Sequence, residues 1–264
     1  MKKLIMLKIG GGVITDKKVR YGLRENVLRQ IVREIASARE ELEATDLIIG
    51  NGAGSFAHFS AKKYGTAKGF SNERGRLGAG WVRYDAVLLN QIVFEQLLAA
   101  SVPAFSFSAS SLMQVDNNKV EKIIMGGVEK ALEKGLVPLL YGDVMIDATT
   151  GATIFSTERV FDELAKEMAG KYAKIKVIHI SNEEGVLVDG KVFSQITDKN
   201  FIQVKGELSG SGGIDVTGGM LHKVEACLEV AKLGIESVIV SGLVRGRVNH
   251  ALVGNEVIGT RICN

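Results

Sequence analysis

The sequence predicts an α/β/α sandwich built on an open, mostly parallel sheet. Three observations carry this expectation. Short apolar runs recur along the chain and are continuous rather than alternating, as in strands covered on both faces. Apolar positions between them repeat at helical spacing, so strands and helices alternate. Several runs end in glycine-rich turns, where parallel sheets bind their ligands.

The first strand is expected at residues 4–9 of "MKKLIMLKIGGG". Its leading lysines imitate a signal peptide, but Lys8 interrupts the apolar run and no small-residue cleavage pattern follows. Val27, Leu28, Ile31, Ile35 and Leu42 mark the first long helix, and residues 47–49 the second strand. Ser55 reads as the N-cap of a helix running towards Tyr64. Residues 65–80 read as an irregular loop, and 81–100 as a well-buried helix with a stripe through Tyr84, Val87, Leu88, Ile92 and Leu98. Further strands are expected at 102–107, 136–141, 175–180 and 237–240. Residues 144–155 and 185–193 read as hairpins, the second turning at Asp-Gly. Residues 197–214 read as a second long loop, and Val224, Leu228 and Ala231 as the core face of a late helix. No linker or repeat divides the chain, so a single domain over 1–264 is expected.

Composition narrows the function. With 46% apolar and 24% charged residues the chain reads as a soluble globular protein, and no apolar run is long enough to cross a bilayer. A net charge of +3 is too balanced for a general nucleic-acid binder but suits a local phosphate pocket. Cys227 and Cys263 have no metal-like spacing and read as reduced thiols of a cytosolic protein. The ratio of 31 glycines to 2 prolines leaves turn-making to a residue that lets backbone approach a ligand closely.

Three glycine-rich turns carry the chemistry. "KIGGG" places Lys8 beside the N–H groups of Gly10, Gly11 and Gly12, with Lys17 shortly after; it lacks the Walker A pattern, and the plain alternative is a strand-to-loop turn. "GNGAGSFAH" begins like a dinucleotide fingerprint, but Ser55 stands at the third glycine position, so a turn or a cradle for another anion fits better. His58 then falls near the start of a helix, where imidazole and free N–H groups can meet one anion, although a histidine taken alone is more often structural or on the surface. In "GGIDVTGGMLHKVEA", Lys223 follows Gly219 near a helix start, a poor place for a cation unless an anion offsets it. The acidic candidates are Asp143 in "YGDV" and Glu158 in "STERV", each with a capping role as the plain alternative, and "SNEEG" (181–185) follows a strand. His179 reads as a satisfied core residue, and His250 has no ligand-spaced partner, so no metal site is expected.

Taken in order, "LKIGGGVITDK", "GNGAGSFAHFSAKKYG", "YGDV", "DVTGGM" followed by Lys223, and the terminal "GTRI" resemble the amino acid kinase superfamily and, within it, the isopentenyl phosphate kinases. The histidine of "GSFAH" points to that phosphate-monoester branch. The resemblance implies the amino acid kinase fold, with acceptor bound by the N-terminal half and nucleotide by the C-terminal half. It implies ATP-dependent phosphorylation of isopentenyl phosphate, in isoprenoid biosynthesis by an alternative mevalonate route, with Mg2+ carried by the nucleotide phosphates, and a cytoplasmic homodimer. Lys8, Lys17, His58, Glu158 and Lys223 would be catalytic; Ala53, Gly54, His58, Gly142 and Asp143 would meet the acceptor; Lys8, Gly10, Gly11, Gly12, Gly54, Gly185, Gly219 and Lys223 would meet the nucleotide. The sequence departs from the family pattern at Gly12, Asn51, Ala53, Ala57, Glu158 (for the usual aspartate) and in "SNEEG". A fosfomycin kinase-like enzyme and a non-catalytic nucleotide-binding protein of the same fold are the rival readings.

Overall fold

The computed structural model describes residues 1–210 and 219–264. In chain order the elements are β1 (Lys3–Ile9), α1 (Gly11–Ile14), α2 (Glu25–Glu41), β2 (Thr45–Asn51), α3 (Gly54–Tyr64), α4 (Glu73–Ala99), β3 (Ala104–Ser106), α5 (Ala109–Leu112), β4 (Met113–Asp116), β5 (Lys119–Ile123), α6 (Gly126–Glu133), β6 (Val137–Tyr141), β7 (Asp143–Asp147), β8 (Gly151–Phe155) and α7 (Thr157–Met168). They continue with β9 (Lys174–Ser181), β10 (Leu187–Val188), β11 (Lys191–Val192), β12 (Gln195–Ile196), α8 (Phe201–Gly210), α9 (Gly219–Ala231), β13 (Glu236–Ser241), α10 (Arg247–Val253) and β14 (Thr260–Ile262).

Eight strands form one sheet in the order β12-β14-β13-β9-β1-β2-β6-β3. All its pairings are parallel except that of β13 with β14. Alternate residues of β1 face opposite sides, so Ile5, Leu7 and Ile9 pack with α2, α4 and α10, while Leu4 and Met6 pack with α6 and α7. This gives three layers, with a core on each side of the sheet. A second sheet, β5-β4-β7-β8, sits beside the end of β6.

Both expected hairpins form, β7 with β8 and β10 with β11. The second turns at Asp189 (φ 50°) and Gly190 (φ 74°), as an Asp-Gly pair requires. A third hairpin, β4–β5, turns at Asn117 and Asn118 in the left-handed region and had no strong Gly or Pro signal in sequence.

Four local expectations are corrected. Most of the expected 65–80 loop is helical, because the Asn72 side chain accepts the Gly75 N–H at 2.9 Å and starts α4 at Glu73. The buried face of α4 is Val82, Ala86, Leu89, Val93 and Leu97, whereas Tyr84 and Leu98 are exposed. Apolar and polar residues are both spread round this helix, and periodicity alone did not select the side that meets the sheet. Helix α8 occupies the middle of the expected loop at 197–214. Ser55 does not cap α3; it lies inside the helix with its hydroxyl buried and unpartnered, and the cap position belongs to Ala53.

Candidate active site

The C-terminal ends of β1, β2 and β9 bring three loops together. Lys8 is in register with Gly50 on one side and His179 on the other. A Cβ on Gly50 would lie 2.5 Å from Cε1 of Phe161 and 2.8 Å from Cγ2 of Thr157. The bare backbone there lets α7 settle on the sheet, with Ser156 capping its start by accepting the Arg159 N–H. Glu158, in the first turn, consequently meets the buried Lys8 ammonium in an ion pair. Burial works against charge on Glu158, but Lys8 and then Lys223 outweigh it and bring its pKa down to about 2. Glu158 is therefore ionised, and it draws cations from two distant chain segments to one point.

The first two glycine loops interlock. A Cβ on Gly11 would strike the backbone of Gly54, and Gly54 itself has φ +52°. Thr15 pins the pair: its hydroxyl donates to the Gly11 carbonyl at 2.7 Å and accepts the Ser55 N–H at 3.0 Å. Gly10 N–H donates to the Ile180 carbonyl at 3.0 Å, and Gly52 N–H to that of Ile9 at 2.9 Å. The Lys17 side chain lies over Gly12, whose carbonyl accepts from Asn182 at 3.2 Å. His58 sits one turn into α3, at the solvent-accessible mouth. Protein packed behind the ring, and then the Lys17 ammonium, hold its pKa below the usual histidine value, so it is neutral at physiological pH. The side-chain oxygen of Asn51 accepts from Asn90 at 2.9 Å, and Asn90 accepts from Ser106 at 2.6 Å.

Ala53 and Gly54 border this cradle, whereas Gly142 and Asp143 lie at the start of the β7–β8 hairpin. Asp143 is buried and accepts from Arg83 at 2.6 Å, Ser108 at 2.9 Å and the Ser110 N–H at 3.2 Å. It serves as the anchor for Arg83, a half-exposed cation on α4 that sequence reasoning missed because no motif surrounds it. Arg83 is held protonated, Asp143 outweighing the cost of burial. A second missed network joins Asp85 on α4 to Tyr21 (2.7 Å), Arg20 and Ser60, clamping the segment after Lys17 against α3. Gly185 packs against Thr260, whose hydroxyl accepts the Val186 N–H and donates to the Phe193 carbonyl, both at 2.7 Å. Gly219 opens α9, and the rest of the third loop, residues 211–218, lies outside the described residues. Glu184 of "SNEEG" pairs with Arg247 at 3.1 Å. His179 is buried as expected but not satisfied, since its Nδ1 has no hydrogen-bond partner.

Residues 3–241 match the model of the amino acid kinase family. The isopentenyl phosphate kinase of Methanothermobacter thermautotrophicus is 31% identical over 270 residues, covering 98% of both chains. That of Methanocaldococcus jannaschii is 29% identical over 267 residues, again covering 98% of each. Among solved structures, an X-ray structure of isopentenyl phosphate kinase superposes with a TM-score of 0.82 at 28% identity, over 98% of this chain and all of that one. Two interlocked glycine loops, a buried lysine paired to the first turn of α7 and near-full-length likeness agree: the chain belongs to the amino acid kinase family.

Proposed function

We propose that the protein transfers the γ-phosphoryl group of ATP to isopentenyl phosphate, forming isopentenyl diphosphate for isoprenoid biosynthesis. The observation that carries this reading is the convergence of Lys8, Glu158 and Lys223 beside the interlocked loops, with neutral His58 and Lys17 at the mouth. Phosphoryl transfer asks a protein mainly for in-line positioning and charge neutralisation. Lys8 and Lys223 would meet the transferring phosphoryl, and Gly10, Gly11, Gly12 and Gly54 would supply backbone donors around it. Lys17 would balance charge on the ATP phosphates, and Glu158 would hold the two lysines.

His58, being neutral, would donate one hydrogen bond to the acceptor phosphate and orient its attacking oxygen, with Ala53 and Gly54 beside it. A phosphate monoester is already ionised near pH 7, so no general base is needed. Arg83, anchored by Asp143, adds a cation on the same side as the small apolar cluster of Ala57, Ala79, Val82, Ala86, Val144 and Ala152. That cluster is packed core between α3, α4 and the β7–β8 hairpin, and its outer edge would give a short hydrocarbon chain an apolar wall. Gly142 lets the hairpin close against Thr157.

The single domain over 1–264 would divide the work, acceptor in the N-terminal half and nucleotide in the C-terminal half, where Gly185 and Gly219 frame the nucleotide loops. Among the described residues no cluster of three or more His, Cys, Asp or Glu could hold a metal. Mg2+ carried on the nucleotide phosphates would neutralise part of their charge. No helix among the described residues is long and apolar enough to cross a membrane, in keeping with a cytoplasmic enzyme. A homodimer is supported by edge strand β3, whose Phe105 is exposed, beside the exposed Leu98 of α4.

The deciding experiment is an ATP-consumption assay over isopentenyl phosphate, dimethylallyl phosphate, fosfomycin and UMP. Turnover confined to the first two is expected. Turnover of fosfomycin or UMP alone would reassign the acceptor, and turnover of none would leave a nucleotide-binding protein.

A further inference from the structure

His179 is the buried group that this mechanism leaves without work. It sits at the middle of the sheet, in register with Lys8 on β1 and Ile239 on β13. Residues in register on parallel strands share a face, so its ring lies on the side of the sheet where Lys8 meets Glu158. The residue is 2% exposed. Its Nε2 lies 3.4 Å from Sγ of Cys227 on α9, one helical turn from Lys223, while Nδ1 is buried with no partner. Leaving such an atom unpaired costs about 1–3 kcal/mol, so its place beneath two lysines and a carboxylate asks for a cause.

The protonation states fix what Nδ1 offers. Burial, followed by Lys223 and Lys8, pushes the imidazole pKa down to about 3, so the ring is neutral at working pH. Burial pushes the Cys227 thiol up to about 12, so it is not a thiolate. A neutral imidazole has one N–H and one lone pair. With Nε2 beside the Cys227 sulfur, that sulfur can take the ring's one N–H, which leaves the buried, unpartnered Nδ1 with its lone pair to accept. The lysine ammonium groups that act on the ring favour this tautomer, because a lone pair attracts a cation and an N–H repels it.

We propose that His179 is a positioning residue for phosphoryl transfer: Nδ1 accepts a hydrogen bond from the Lys223 ammonium once substrates are bound, setting the depth at which that cation meets the phosphoryl group. The inference rests on the reading above that Lys223 contacts the transferring group. A neutral acceptor is the right partner here. A second carboxylate beside Glu158 would neutralise the lysines that the phosphoryl needs, and an apolar side chain would offer Lys223 no acceptor at that depth.

The test combines two substitutions with a spectroscopic measurement. His179→Phe is expected to lower kcat about 10- to 100-fold, as a displaced catalytic group does, while the KM values for ATP and acceptor move by less than about threefold. His179→Gln, which keeps an acceptor, should recover part of the loss. Independently of turnover, the histidine 15N spectrum of the ADP-bound protein should show a proton on Nε2, and a His179 Nδ1 resonance that moves in Lys223→Met. With four histidines in the chain the signal is assignable. Unchanged kcat in folded His179→Phe, equal losses in both variants, a protonated Nδ1, or a resonance indifferent to Lys223→Met would each overturn the proposal. Should His179→Phe not fold, His179→Gln and the spectrum decide. A wild-type protein inert towards isopentenyl phosphate would defeat the functional reading alone, because the 15N measurement needs no acceptor.

Discussion

In the proposed mechanism His58 and Lys8 both donate to phosphate, and their surroundings give them separable roles. His58 is at the mouth and neutral, so His58→Ala should raise the KM for isopentenyl phosphate at least tenfold, a loss of about 1.4 kcal/mol or more in binding, with a smaller change in kcat; steady-state kinetics checks this. Lys8 is buried at the end of β1, and Lys8→Ala should act on kcat, by about 2–4 kcal/mol if it matches the loss of an oxyanion-hole donor. Single-turnover rates at saturating substrate would separate the two effects. Glu158→Gln leaves the Lys8 ammonium without its partner. Removing one member of a buried pair costs about 3–5 kcal/mol, and with 26% of the Glu158 side chain exposed the expectation is about 2–3 kcal/mol by urea unfolding at pH 7. The sign of the acid response follows from the depressed pKa. Glu158 contributes its full stabilisation above its ordinary 4.5 and loses it as pH falls from there towards about 2, so wild type and Glu158→Gln should converge in stability across that window. Lys8 was legible in sequence because a lysine beside three consecutive glycines is unusual, whereas His58 and Glu158 stood out only through the family resemblance. Arg83 and Asp85 were not legible, since an ordinary helix surrounds them and only tertiary contact gives them partners.

At the scale of elements, the site depends on how closely two loops forty residues apart approach each other. Gly11→Ala places a methyl group against the backbone of Gly54, which has no flexible end to move aside. Overpacking of this kind typically costs about 1–3 kcal/mol, and here it should also part the two halves of the cradle. The expected outcome is a lower melting temperature together with loss of turnover, whereas a surface glycine such as Gly80, with open space around it, should accept alanine without loss of activity. Element type was readable wherever the apolar pattern was continuous or clearly one-sided. Six strands of the large sheet declared themselves by continuous runs, although β3 keeps only three residues of its run, and α2 declared itself by its stripe. Helix α4 shows where the pattern fails: with apolar and polar residues poorly segregated, its length and buried face are set by the Asn72 cap and by contact with the sheet. Helix α3 shows the same at a terminus, where Ser55, expected as the cap, instead gives its own N–H to Thr15 from another segment.

For the whole molecule, the sheet order sets where a second copy would join. One end of the eight-stranded sheet is β3, short and flanked by exposed Leu98 and Phe105, together with a shallow apolar cleft along Leu88, Ile92 and Phe94 of α4. Phe105→Glu combined with Leu98→Glu should convert a dimer to a monomer in size-exclusion chromatography with light scattering, and the monomer should keep its fold by circular dichroism. An unchanged mass at micromolar concentration would place any interface elsewhere. The parallel architecture itself was legible from alternation, because it needs only strands buried on both faces. The small β5-β4-β7-β8 sheet was only half legible, since the Asn-Asn turn that returns β5 onto β4 resembles a polar loop.

The Asn51–Gly52 step has a consequence for chemical ageing. Asn-Gly pairs are the ones most prone to deamidation, because an unhindered glycine N–H can attack the preceding side-chain amide. Here that N–H is committed to the Ile9 carbonyl at 2.9 Å, the amide oxygen to Asn90, and the strand holds the residue extended. The folded protein therefore protects a bond that its unfolded chain would lose. Aspartate at position 51, found by peptide mass mapping after storage, would record how much time each molecule had spent open.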